Sequence, residues 1–176
     1  MALTTSEVRV AVSGEVSVAP TGTTAPTDAT TALAVGFVGL GYISEDGITE
    51  TPELSIDDIQ AWQNAKIVRS VVSSAKLTYE FQLIQTNKDI VEASLGTTVT
   101  QTVPMGTYTF DASATGGRKS WVFNIIDGAL IKRIYVAEGE VTDRGEIVYA
   151  SGEPIGYSLT VTAYTNPVVF DTALKS

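Results

Sequence analysis

From Ala75 to Gln85 the chain alternates without a break. Leu77, Tyr79, Phe81 and Leu83 fall on one face, and Lys76, Thr78, Glu80 and Gln82 on the other. A period of two means a half-buried strand. At Thr86-Asn87 the period changes. Asn87 is placed to cap a short helix from Lys88 to Leu95, with Asp89 in its first turn, Ile90, Val91 and Leu95 on a buried face, and Gly96 closing it. Upstream, Lys66 to Ser74 is apolar and β-branched, a second strand leading into the first. A two-faced strand running into a capped helix constrains everything else, because each apolar face must find a cover.

With 176 residues the chain can form one domain with a sizeable core and extended arms. Glycine-bounded runs of threonine and valine favour a β-rich fold. No apolar run approaches the roughly 18 residues a membrane span needs. The start, Met1-Ala-Leu-Thr-Thr-Ser-Glu7, has neither a basic nor an apolar segment, so no secretory signal is expected and synthesis in a cytoplasm is. There is no cysteine and no histidine. Disulfides, thiol nucleophiles, imidazole bases and their metal sites are thereby excluded, and the expectation is a protein that is not an enzyme and carries no cofactor. The net charge is −9 and unevenly spread. No Lys or Arg occurs between Arg9 and Lys66, while Glu15, Asp28, Glu45, Asp46, Glu50, Glu53, Asp57 and Asp58 all fall there. Gripping phosphates needs clustered cations, so a nucleic-acid-binding footprint is absent.

In chain order, Glu7 to Val12 alternates as a strand, with a turn at Ser13-Gly14 and a continuation from Glu15 to Val18. Ala19 to Thr31 is a Thr/Pro-rich arm without period, read either as a linker or as an arm that orders against a neighbouring copy. Ala34 to Ile43 reads as a glycine-thinned strand; Gly39-Leu40-Gly41 lacks the third glycine of a dinucleotide loop. Ser44 to Asp58 reads as an acidic loop with spaced Ile48, Leu54 and Ile56, facing solvent or a partner; its spacing fits no EF-hand. Strands are expected at Thr97 to Val103, Thr107 to Ala112, Lys119 to Asp127, Ala129 to Val136, Ile147 to Ala150 and Ile155 to Tyr164. Asp127-Gly128 is a hairpin signal, Thr115 to Ser120 a basic turn, and Glu138 to Glu146 an acidic turn region. The last strand puts Leu159, Val161 and Ala163 on one face and Thr160 and Thr162 on the other. The fold class is mainly β: a β-sandwich or partly closed barrel with one short flanking helix.

An acidic loop, then Ile59-Gln-Ala-Trp62-Gln63, then two strands, then Ile84-Gln-Thr-Asn87-Lys88 and a short helix ending Leu95-Gly96: over residues 35 to 165 this order resembles the major tail protein, or tail tube protein, of long-tailed bacteriophages, especially those of actinobacteria. The resemblance implies an N-terminal strand and arm (1–34), a β-sandwich domain (35–176) with a helix at 87–96, and an inter-subunit assembly loop at 44–66 containing Glu45, Asp46, Ile48, Leu54, Ile56 and Trp62. Arm and loop would be mobile in the free subunit. It also implies a virion protein of the phage tail that partners itself, in hexameric rings stacked into a tube. Tape-measure, tail terminator and baseplate proteins would be further partners, with DNA in transient passage and no membrane. If each subunit gives four strands, twenty-four strands at ~4.8 Å spacing and ~40–45° tilt close at roughly 50 Å backbone diameter, leaving roughly 40 Å for DNA. Thr78, Glu80, Gln82, Thr160 and Thr162 would face that lumen, with Glu138, Glu140 or Glu146 adding negative charge. Two rival readings stand: a β-sandwich binding, adhesion or decoration module, and a hydrolase using a carboxylate pair such as Asp57 and Glu80.

Overall fold

The computed structural model describes residues 4–174. The first residues of the expected N-terminal strand and arm, Met1 to Leu3, and the last two of the tail lie outside the described residues. One 3₁₀ turn, Thr5–Glu7, precedes strands β1 (Ser13–Pro20), β2 (Val38–Gly39), β3 (Ile43–Gln60) and β4 (Ile67–Leu83). Helix α1 (Lys88–Leu95) follows, then β5 (Thr100–Thr102), β6 (Met105–Thr107), β7 (Lys119–Asp127), β8 (Leu130–Arg144), β9 (Tyr157–Ala163) and β10 (Val168–Asp171). All pairings are antiparallel, in the order β2-β1-β7-β8-β9-β4-β3, with β10 beside β8 and β5–β6 a separate small hairpin.

This sheet folds over on itself. β4 and β7 are three strands apart in the ladder, yet the Tyr79 and Phe123 rings stack with centroids 4.5 Å apart. Phe81 meets Phe123 and Trp121 edge-on at 5.8 and 6.3 Å, and Trp121 lies parallel to Phe123 at 6.4 Å. Such pairs add about 0.5–1.5 kcal/mol each beyond the area they bury. Val16 and Val18 of β1, Ile134, Val136 and Val141 of β8, and Leu159 and Val161 of β9 complete the inner layer. The result is a sandwich, with no ladder joining β1 to β3. The helix closes one side with Ile90, Val91, Ala93 and Leu95. Its ends follow the expected chemistry: Asn87 Oδ1 accepts from Ile90 N at 2.9 Å, and Gly96 adopts the left-handed conformation, φ 65°.

Several elements differ from expectation. The acidic stretch 44–58 is strand, not loop, and only residues 61–66 turn. Its turn signals act inside the strand. Gly47, φ 72°, sits in an irregularity between Ile43 and Ile48, and Pro52 is tolerated because β3 is an edge whose outer N–H positions pair with nothing. The two strands expected from Lys66 to Gln85 are one, β4. Glu138 to Glu146 is largely strand β8 rather than a turn. Ser13-Gly14 lies within β1, and the expected Glu7 to Val12 strand is irregular chain after the 3₁₀ turn, held where Val12 N donates to Ile126 O at 3.0 Å and Arg9 bonds Asp127 and Asp171 at 3.2 and 3.3 Å. Ala34 to Ile43 contributes only β2 and the first residue of β3, Ile147 to Ala150 forms no strand, and the 97–112 pair shrinks to β5 and β6. Outside these short ladders the runs have β-formers but no strand edge beside them.

Phe123→Ala is expected to destabilise the fold by about 3–5 kcal/mol, read as a lower urea midpoint at unchanged slope. A much smaller loss would show that the stacked rings do not hold the two layers together.

Candidate functional site

Cross-strand register assembles one polar face from four strands. Thr51, Thr78, Thr162 and Glu140 lie in one row, and Thr49, Glu80, Thr160 and Asp143 in the next, with Gln82 beside Ser158 beyond them. Register sets Thr78, Glu80, Gln82, Thr160 and Thr162, the residues expected to face a lumen, on one side of the sheet. Their exposure differs. Glu80 is open and Gln82 and Thr160 half-buried, but Thr78 and Thr162 are buried. Thr162 Oγ1 bonds Thr142 Oγ1 at 2.7 Å, and Thr78 Oγ1 donates to Thr51 O at 3.4 Å. These threonines line the wall without projecting from it. Asp46, Glu80 and Asp143 rim a shallow hollow of about 350 Å³. Sequence reading missed Asp143, because a bulge between Val141 and Asp143 turns it toward Thr160 against simple alternation. Glu138 is matched by Arg118 at 2.7 Å, whose guanidinium also lies 4.4 Å over the Tyr164 ring. The hydrolase pair fails on distance. Glu80 is opposite Thr49 and Asp57 opposite Val71, about eight residues or roughly 26 Å along β3, against the ~5–10 Å such chemistry needs.

The second feature is the far half of the β3–β4 hairpin. Residues 52–60 and 67–76 are exposed throughout, a two-stranded arm about 30 Å long. A bulge where Ser55/Ser74 gives way to Ile56/Val72 redistributes its apolar side chains. Leu54, Ile56 and Val72 continue the core-side face, and Ile59 and Val71 fall on the other, while a second irregularity at Ile59/Gln60 sets Ile67 opposite Gln60. An isolated two-stranded ribbon is marginal in water, and this one also carries apolar groups on both sides. Of the expected assembly residues, Leu54, Ile56 and Trp62 lie on this arm; Glu45, Asp46 and Ile48 lie on the body, where Ile48 packs against the core.

The phage tail tube protein family matches residues 1–172. The chain belongs to the phage tail tube protein family. It is thus a structural component of a phage tail. No curated protein matches its sequence. Among solved structures, a chain of the anti-feeding prophage (AFP) baseplate, from a 6-fold symmetrised cryo-EM structure, is similar over 97% of each chain at 9% identity and a TM-score of 0.48. Among the described residues no group of three or more Asp or Glu converges as a metal site.

In this tail tube protein the Thr/Pro-rich arm, expected to be mobile in the free subunit, is docked on its own body. Arg133, buried on the sheet's outer face, donates from Nη1 to Asp28 O at 2.9 Å and Thr31 O at 2.7 Å, and from Nε to Asn124 Oδ1 at 2.9 Å. Ala29 is buried there. Asp28 shapes the segment locally: its carboxylate accepts from the hydroxyls and backbone N–H groups of Thr31 and Thr30. Sequence reading took Ala19 to Thr31 only as a Thr/Pro-rich arm without period and had no sign of the arginine 102 residues away.

Hydrogen bonds from Thr31 and then Thr30 hold the Asp28 carboxyl well below the usual carboxylate range. A depressed folded pKa contributes stability above the ordinary aspartate value of 3.8 that is lost only as pH falls through the folded value. Amide exchange of Thr30 and Thr31, corrected for intrinsic pH dependence, should therefore stay protected well below pH 3.8, whereas Asp28→Ala should lose that protection already at pH 7.

Proposed function

We propose that this protein assembles into stacked hexameric rings, forming the tail tube through which phage DNA is delivered. The observation that carries this reading is a four-stranded layer, β3-β4-β9 and the last part of β8, open at both edges. Among the described residues β3 has no partner beyond β4, and the β7 ladder ends at Gly139, leaving residues 140–144 without a strand on that side. Open strand edges ordinarily invite uncontrolled pairing, so a long one kept in a native fold needs an intended partner. Lateral pairing of β3 with residues 140–144 of a neighbour would continue the sheet around a channel, with the polar face inward. Glu80, Gln82, Thr160 and Asp143 would then line it, beside Thr78 and Thr162. At ~0.15 M salt, charges act over about 8 Å, so the acidic wall would repel a duplex only when it drifts close. It would behave as a soft, non-adhesive lining. The sequence resemblance supports a long-tailed phage of an actinobacterial host, synthesis in the host cytoplasm, and tape-measure, terminator and baseplate partners. A decoration or adhesion module is the alternative, and it calls for neither feature.

The test of assembly is an excision. Deleting 46 to 57 would remove Ile48 from the core, so the clean variant joins Glu53 to Lys76 through an Asn-Gly turn and removes only the exposed arm. It should remain a folded monomer with native thermal stability yet form no tubes in negative stain, where the intact protein does. Tubes formed by the armless variant would remove the arm from the assembly.

The lining has its own test. Glu80→Lys with Asp143→Lys should give tubes that retain duplex DNA in a salt-sensitive way, since each added cation contributes counterion-release affinity. Unaltered tubes should not retain it. Equal retention by both would end the non-adhesive reading.

A further inference from the structure

The β3–β4 ladder ends in an unmet surface at each extremity. At its tip the turn between Gln60 and Ile67 holds Asn64 and Ala65 at positive φ, 62° and 48°, and presents Trp62 at 98% exposure. Lys66 and Arg69 flank the tip and have no carboxylate within ion-pairing distance among the described residues. A fully solvated indole beside two free cations is the composition of an interface anchor.

At the other extremity, where β3 begins and β1 leaves the sheet open, lies a cleft of about 730 Å³. That volume is in the range of sites that bury a bound group. Its walls include Tyr42, Ile48 and Ile125; its rim carries exposed Glu45 and exposed Glu15, whose carboxylate also accepts from Asn124 Nδ2 at 3.4 Å, and no Lys or Arg lines it. The Ser44 hydroxyl on its wall is out of water and lacks a hydrogen-bond partner. The cleft mixes apolar walls with Ser13, Ser44 and Gln85 and is acidic at the mouth, which complements the indole and cations of the tip.

The two cannot meet within one chain. They sit at opposite ends of an 18-residue strand, on the order of 55 Å apart. We propose that Trp62 of one copy seats in the cleft of the next, its indole against Ile48 and Ile125, with Lys66 and Arg69 facing Glu15 and Glu45. This rests on the reading that the protein polymerises, and it names the acceptor for the arm. A donor and an acceptor at opposite ends of one subunit make a head-to-tail contact, which propagates along an axis instead of closing on itself.

Because the chain has no cysteine, introduced thiols are the only ones present. Trp62→Cys protein mixed with Tyr42→Cys protein, assembled and then oxidised, should give disulfide-linked dimers, while pairing Trp62→Cys with Tyr149→Cys should not. A charge swap keeps the indole in place. Lys66→Glu with Arg69→Glu should reduce assembly at least tenfold, and adding Glu15→Lys with Glu45→Lys should restore it. If wild-type protein forms tubes but the Trp62→Cys/Tyr42→Cys mixture gives no link and charge reversal has no effect, the docking alone is overturned. Wild-type protein that forms neither rings nor tubes at any concentration would overturn the tube reading beneath it.

Discussion

The contact between Tyr79 and Phe81 of β4 and Trp121 and Phe123 of β7 is the constraint on which the rest depends. One sheet supplies both layers, so the rings must meet face to face for the sheet to have an inside. The close fit reaches the backbone. A Cβ on Gly139 would stand 2.8 Å from Trp121 Cδ1 and 3.0 Å from Val161, and the Trp121 indole N–H donates to Gly139 O at 3.1 Å. Once that core is set, β4 has one face committed, and its other residues are obliged to share a surface with β9 and the end of β8.

Beyond Leu77 the same strand leaves the core, and its physics changes. Inside the body each ladder bond is backed by buried side chains. Along the arm it is backed by water alone, and the apolar residues there are distributed to both faces by a bulge. Such a ribbon is stabilised fully only when something covers it. The acidic residues of β3, with Pro52 and the irregularity at Gly47, are the devices by which an exposed edge avoids indiscriminate pairing. The docked arm shows the opposite solution. Arg133 is buried yet satisfied by two carbonyls and an amide, so residues 28–31 gain a partner within their own subunit.

The helix and the β7–β8 hairpin were legible because their determinants are local: Asn87 and Gly96 bound one, Asp127-Gly128 the other. The inward faces of β4 and β9 were legible because burial on one side leaves a period of two. Residues 44–58 were misread because glycine, proline and acidic residues signal turns in isolation, yet all are admissible on an edge strand whose outer side meets no partner. The position of Asp143 was hidden for a similar reason, since a bulge has no signature in the residues that form it. Arg133 gave no local sign of its partners, which lie a hundred positions away.

Alternation and caps determined by themselves that this chain is β-rich with one short helix. Period and capping act between residues a few positions apart, so they survive in a one-dimensional string. Only the tertiary structure decided which polar residues share a face, which strand edges stay open, and that the acidic stretch is half of a projecting hairpin. Those properties depend on register and on which strand finds which neighbour, and both are settled by the packing of distant side chains.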